Sequence, residues 1–500
     1  MADTEKKGDP QATNDTISHA QSMEAGEVGA LKGTSNRELD EAAKYLAGHD
    51  EFGPMTPEME KKLVKKIDAW ILPLALFTAT LGAVDKVELG TAALYGFRND
   101  NHLVGQEYSW LGSILPLGTV CGMFPASYLV HRVPPGKLLA HWAGFMALRF
   151  ILGFLEGAIS PCLTMIAVSF YKKSEQAPRN SLIFAYFSSI INGFFAFVVG
   201  KIPESAPLLK WQYLYIMTGS INVAWSLFLL YIMPDNPMNA RFLTAEEKYH
   251  ATKRLAENRT GIANRVWKWN QVFEAFLDVR VWLIFFFNII INIPNGGLQT
   301  FGSIIINNLG FSALESSLLT MPFGVLATSG AWFFGYIAVK WHNRRVLTAC
   351  IALILPLIGT AVVYGVPRSN TAGQMVGLYL MYFYWPPYVV GISLIQANTA
   401  GQTKKAIAYS WVNIGYAVGN LIGPQTFRAN QAPKYTGGVI AMLVCYCASM
   451  ALLGCYWVVS AWDNKWKDQK YGKPERVHDG TLEGFMDITD KEQDAFRYTT

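Results

Sequence analysis

The sequence predicts an all-α polytopic membrane protein, and three observations carry that reading. The 500 residues are 51% hydrophobic, and the apolar ones are gathered into long blocks rather than spread evenly. Many blocks reach the ~20 residues that a helix needs to cross a hydrocarbon core about 30 Å thick. Short basic connectors separate them, "HRVPPGK", "YKKSEQAPR", "KWHNRR" and "GQTKK". A net charge of +5 is therefore a positive-inside excess in loops and not a nucleic-acid footprint.

Residues 1–60 are polar and read as a cytoplasmic tail. Their start, "MADTEKKGDPQATNDT", has no apolar core and is not a cleavable signal peptide, so the first membrane helix directs insertion. Lys61, Lys62, Lys65 and Lys66 form a basic amphipathic run just before it. The predicted spans of an N-terminal helix bundle (61–233) are 70–94, 108–130, 143–170, 181–202 and 211–233. A charged cytoplasmic loop, 234–279, follows. The C-terminal bundle (280–462) has spans near 281–300, 314–339, 346–365, 374–396, 406–427 and 436–461, and a cytoplasmic tail (463–500) ends the chain.

That makes about 11 spans, with one fewer in the first half than in the second. Residues 138–170 fall short of the ~40 that two helices require, and a single helix there would put the connectors at Arg132 and Lys172 on opposite sides. The expectation is that about 20 residues, the third helix of the N-terminal half, are missing between Leu138 and Ala143 through an error in the gene model or in splicing. The alternative is a re-entrant turn at 138–142.

All six cysteines, Cys121, Cys162, Cys350, Cys445, Cys447 and Cys455, fall in or beside apolar blocks and read as reduced thiols. Neither zinc-type spacing, a phosphate-cradling glycine loop nor a nucleophile elbow is present. No enzyme activity, cofactor or metal is therefore expected. The sequons at Asn14 and Asn258 fall in cytoplasmic segments and should carry no glycan.

Ionisable residues inside the apolar blocks carry the chemistry, because each is costly to place there. "GAVDKVELG" puts Asp85, Lys86 and Glu88 in the first span, and "LRFILGFLEGAISP" puts Arg149 and Glu156 seven residues apart. Seven residues is close to two turns, so both face one side, ~10 Å apart along the axis. A cation and a carboxylate facing a bundle interior can bind an anion and carry a proton; a buried ion pair that only fixes packing is the alternative. Glu88 is either part of this group or a solvated charge at the outer mouth.

Gly153 with Gly157, and Gly415 with Gly419, read as close-packing faces. In "NIIINIPNGGLQTFG", Pro294, Gly296 and Gly297 are expected to break the helix and expose Asn292 and Asn295 to a cavity. "MYFYWPPYVVG" adds Tyr382, Tyr384, Trp385 and Tyr388 as lining candidates. Asn192, Asn413 and Asn420 are weaker ones.

These motifs resemble the major facilitator superfamily and, within it, the fungal allantoate permease family of anion:cation symporters. "GYIAVKWHNRR" is similar to the superfamily's loop between spans eight and nine, with Lys340 where an acidic residue is common. "LRFILGFLEGAISP" is similar to its fourth-helix motif. "VDKVELGTAALYG", "YSWLGSILPLG", "NTAGQTKKA" and "GYAVGNLIGPQTF" resemble the allantoate permease group, and the likeness covers about 65–455. It implies a major facilitator fold of two helix bundles and an alternating-access carrier of small carboxylates, usually proton-coupled. Two departures stand out: Glu88 adds a negative charge, and the third helix is absent.

The expected function is proton-coupled uptake of a small organic anion (allantoate, ureidosuccinate or a vitamin-like carboxylate) across the plasma membrane by a monomer with both tails cytoplasmic. Lys86, Arg149, Asn295 and Tyr384 are the expected substrate-binding residues, and Asp85 and Glu156 the proton-coupling ones. A sensor on a carrier scaffold, or an inactive mis-spliced carrier, is the alternative.

Overall fold

The computed structural model describes residues 52–123 except 54, 149–154, scattered positions from 156 to 183, 187–234, 237–256, 268–472 except 342, and 489–500 except 495. Stretch 138–142, Gly157, Cys162 and both sequon asparagines lie outside the described residues. Every regular element described is helical.

In the first half, α1 is Pro57–Leu94 and α2 is Glu107–Met123. The helix carrying Arg149 is helical at 149–154 and at described positions onward to 170. Then come α3 (Ser188–Gly200), α4 (Lys210–Ile232) and α5 (Ala245–Ala256). The second half has α6 (Trp269–Leu277), α7 (Val279–Asn307), α8 (Ala313–Lys340), α9 (Arg345–Gly365), α10 (Thr371–Met381), α11 (Trp385–Asn398), α12 (Gln402–Ile422) and α13 (Thr436–Tyr471). Among the described residues, 7 helical spans are long and apolar enough to cross a membrane: α1, α4, α7, α8, α9, α10 with α11, and α13.

The chain divides into two compact units. The smaller holds residues 1–73, 165–178 and 231–263. Its apolar core joins Leu63, Ile67 and Ile71 of α1 to Phe170, Tyr171 and Leu243. Arg254 of α5 is fully buried there, donating to Glu60 at 2.9 Å and to Glu175. Lys66 pairs with Glu247 at 2.6 Å. The basic run before the first span is thus a packed helix face as well as a charge signal.

The larger unit holds the remaining membrane helices. Glycines set its closest approaches: a Cβ at Gly415 would lie 3.0 Å from the Phe285 carbonyl, so α12 lies directly on α7. On α3, a Cβ at Gly193 would lie 2.9 Å from the Ser317 carbonyl of α8. Hydrogen bonds between the two halves gather toward the Leu94 end of α1. Tyr108 donates to the Thr300 carbonyl at 3.0 Å, Ser113 to the Leu421 carbonyl at 2.7 Å, and Gln425 to Ser113 at 2.9 Å.

The helix carrying Arg149 runs antiparallel to α1, with Arg149 beside Asp85 and Ile159 facing Gly82. Since α2 also folds back along α1, with Tyr108 reaching the Leu89 carbonyl at 3.3 Å, these two described helices point the same way.

The expected break at Pro294 is absent. α7 runs unbroken from Val279 to Asn307 with Pro294 inside it. Gly296 and Gly297 instead admit the Asn420 backbone and the Phe427 ring, where any Cβ would collide. The interruption falls at Tyr382–Tyr384, a 3-10 turn between α10 and α11. Pro386 and Pro387 explain it, because neither donates a backbone hydrogen bond and both crowd the preceding turn.

The C-terminal tail is also more structured than its composition suggests. α13 continues to Tyr471. Farther on, Asp490 and Tyr498 are buried. Lys467 donates to the carbonyls of Asp490 and Gln493 at 2.7 and 2.8 Å. The five described cysteines form no disulfide.

Candidate functional site

In the larger unit, a cavity opens between α1, α2 and the Arg149 helix on one side and α7 and α12 on the other. Lys86 and Arg149 line it from the first half; Gln299, Thr300, Tyr416 and Asn420 line it from the second. Two cations thus face a wall of neutral hydrogen-bonding groups. That arrangement suits an anion bearing further polar groups.

Each cation is held by its neighbours. Arg149 donates from Nη1 to the Asp85 carbonyl at 3.2 Å and from Nη2 to the Tyr215 hydroxyl at 2.9 Å. Lys86 Nζ lies 3.9 Å from Glu156. Arg149 and Glu156 therefore do share a face, turned to α1, yet each meets a different partner there. Glu156 is buried, and neither of its carboxyl oxygens has a hydrogen-bond partner among the described residues.

Glu88 is 1% exposed, which removes the reading of it as a solvated mouth charge. It sits one turn beyond Asp85 and beside Thr218, within the electrostatic reach of Arg149. Asp85, Glu88 and Glu156 thus stand on the same two helices as the two cations, and among them Glu156 pairs with Lys86.

Asn295 and Tyr384 are brought together behind the cavity wall. The Tyr384 hydroxyl donates to Asn295 Oδ1 at 2.5 Å, and Asn295 Nδ2 donates to Asn292 at 3.2 Å and to Asn420 at 3.0 Å. Gln299 donates to Asn295 Oδ1 at 2.8 Å, so this buried amide ladder reaches the cavity through Gln299 and Asn420. Asn295 is wholly buried and Tyr384 1% exposed.

Sequence reasoning missed Tyr215, Gln299, Thr300 and Tyr416. A signal existed for Gln299, a glutamine within an apolar span. Tyr215, by contrast, stands among other aromatics in "KWQYLYIM" with nothing to mark it.

The family model of the Major Facilitator Superfamily matches residues 74–424, a stretch that includes every residue of this cavity. The chain belongs to the Major Facilitator Superfamily. Within it, the chain is 39% identical to the MFS-type transporter cnsL of Penicillium expansum, covering 95% of each protein. It is 34% identical to the allantoate permease of Saccharomyces cerevisiae, covering 92% of this chain and 90% of that one. It is 28% identical to the thiamine pathway transporter THI73 of the same yeast, covering 94% and 93%. These relatives place this superfamily member in the allantoate-permease-like group. It is a multi-pass membrane transporter of small molecules and not an enzyme.

Proposed function

We propose that the chain carries a small organic anion into the cell with protons, by alternating access across the plasma membrane, as a monomer with both tails in the cytoplasm. The observation that carries this reading is the placement of Lys86 and Arg149 on one cavity with buried carboxylates beside them. Arg149 offers a carboxylate two parallel donors, and Lys86 a point charge. An anion arriving at these cations takes Lys86 from Glu156 and draws Arg149 from the Asp85 main-chain carbonyl. A carboxylate that has lost its counter-ion in an apolar setting is relieved by protonation. Anion and proton then move as a near-neutral load.

The relative named an allantoate permease supports the substrate class, with allantoate, ureidosuccinate and vitamin-like carboxylates as candidates. In this topology the Leu94 end of α1 lies outside. The hydrogen bonds gathered there close the outer path, and the cavity exchanges with the cytoplasm.

Uptake of labelled allantoate and ureidosuccinate by a permease-deleted yeast expressing this chain is the test. Accumulation that a protonophore abolishes is expected. Uptake of both indifferent to the pH gradient would overturn proton coupling, and uptake of neither would overturn the proposed substrates.

A further inference from the structure

The short helix α6, just before α7, presents two unlike faces. On one, Gln271, Val272 and Ala275 are buried. Gln271 accepts from the backbone N–H groups of Thr403 and Lys404 at 3.0 and 3.3 Å, and Glu274 accepts from the Lys404 ammonium at 2.9 Å. This face is therefore locked to the start of α12. The other face carries Trp269, Phe273, Phe276 and Leu277, which are 66%, 64%, 45% and 76% exposed. Their spacing of four, three and one places them on a single stripe. Four large apolar side chains turned outward on a helix of nine residues form a patch of the kind that a membrane or a partner covers.

α7 indicates which. Asp278, extended at φ −84° and ψ 109°, separates it from α6. With 29 residues α7 is about 44 Å long, against a hydrocarbon core of about 30 Å, so its first turns reach the headgroup level. An aromatic belt begins there. The Trp282 ring lies 6.0 Å from that of Phe286, which is exposed, and 5.1 Å from that of Trp411 on α12. Phe276 of α6 lies 5.6 Å from Trp411, and its carbonyl accepts from the Trp282 indole at 2.7 Å. The exposed stripe of α6 thus continues, through Phe276, the aromatic surface that a membrane-spanning helix presents at one of its ends.

We propose that α6 lies in the headgroup region of the phospholipid bilayer, with Phe273 and Leu277 at the acyl boundary, and that this anchor holds the start of α12. In the topology proposed above the leaflet is the cytoplasmic one; the anchor itself does not depend on the substrate. α12 brings Tyr416 and Asn420 to the cavity. Its first turn, gripped by Gln271 and Glu274, cannot tilt without carrying α6 along the bilayer surface.

The test uses the full chain in phosphatidylcholine liposomes, carrying a benzophenone amino acid at Phe273 or, separately, at Leu277. Irradiation should join a phospholipid to the α6 peptide from both positions. A lipid adduct missing from either position, or replaced by one to a second copy or to another segment of the chain, would overturn the anchor. Amide hydrogen exchange in the same liposomes reads the hold on α12. F273D should let the N–H groups of Thr403 and Lys404 exchange several-fold faster than in the parent. Should F273D fail to fold, F273S makes the same comparison. Unchanged exchange would overturn the hold on α12 while leaving the lipid contact standing.

Discussion

Lys404 Nζ and Asp490 Oδ1 lie 2.7 Å apart, and both side chains are fully buried. They are separated by 86 positions in the chain. Around them, Lys404 also reaches Asp278 at 2.8 Å and Glu274 at 2.9 Å, while Arg280 reaches Asp278 at 3.1 Å. Tyr498 lies under the Arg280 guanidinium, 3.4 Å from ring centre to Cζ, and donates to Asp490 at 2.9 Å. Residues 489–500 are thereby fastened to the starts of α7 and α12.

Removing one partner of a buried pair leaves the other charge uncompensated, typically at about 3–5 kcal/mol. D490N should therefore lower the thermal midpoint of the purified protein by several degrees, while D494N, an exposed neighbour, should not. Replacing Lys404 with methionine should act like D490N. Equal melting of D490N and the parent would show that the segment is not held by this pair.

Asp278 gives the same cluster a pH dependence. Burial alone would raise its carboxyl, but Arg280 and then Lys404 outweigh burial and hold it well below the ordinary carboxylate value. A group depressed in the folded state contributes stability above its unfolded value, near 3.8, and that contribution is lost as pH falls through and below it. The melting temperature should accordingly drop on acidification below about pH 4, and D278N should flatten that part of the curve. A D278N profile parallel to the parent's would contradict this origin.

Arg149 should not be replaceable by lysine. R149K keeps the charge but loses the planar fork that spans the Asp85 carbonyl and the Tyr215 hydroxyl. Anion affinity should fall tenfold or more, and Y215F, which frees one arm of the guanidinium, should cost several-fold. Affinities of R149K within twofold of the parent would make Arg149 a packing residue.

Gly193 tests the closed end. A leucine there would run into the Ser317 carbonyl and Met321, forcing α3 from α8 and opening the Leu94 end. A cysteine placed at Ser317, buried in this conformation, should then react several-fold faster with an impermeant reagent applied from outside. Unchanged labelling would mean that this contact does not close the path.

Much of the site was legible because helical spacing alone decides which residues share a face. Arg149 and Glu156 meet α1 together, as two turns require. Spacing does not say which neighbour each side chain finds, so the Lys86–Glu156 and Arg149–Tyr215 pairings were not readable. Prolines and glycines mark both Pro294–Gly297 and Pro386–Pro387, yet only the second interrupts a helix. The difference lies in Asn420 and Phe427, distant residues that close over the glycines. Residues 489–500 read as part of a cytoplasmic tail for a similar reason: Arg280 and Lys404, against which Asp490 is buried, are far off in sequence.

The connection between α2 and the Arg149 helix carries its own expectation. Two helices that point the same way need a return crossing of ~20 residues plus turns between them. With the second predicted span reaching Val130 and the Arg149 helix predicted from Ala143, only 131–142 remain for it. Sequencing the transcript across codons 130–150 should reveal a longer form with about one more helix, and that form should transport better than the sequence as it stands. A transcript that matches the present sequence, and a protein made from it that transports, would refute the missing segment.

The most direct measurement is anion accumulation in proteoliposomes under an imposed pH gradient, set beside anion exchange without one, for the parent and for E156Q. Glu156 is the buried carboxylate that faces Lys86 at 3.9 Å. The parent should concentrate the anion in the lumen when the lumen is the more alkaline compartment. E156Q should exchange anion at a similar rate yet fail to concentrate it, because the glutamine cannot pick up and release a proton. Full gradient-driven accumulation by E156Q would contradict proton coupling through Glu156.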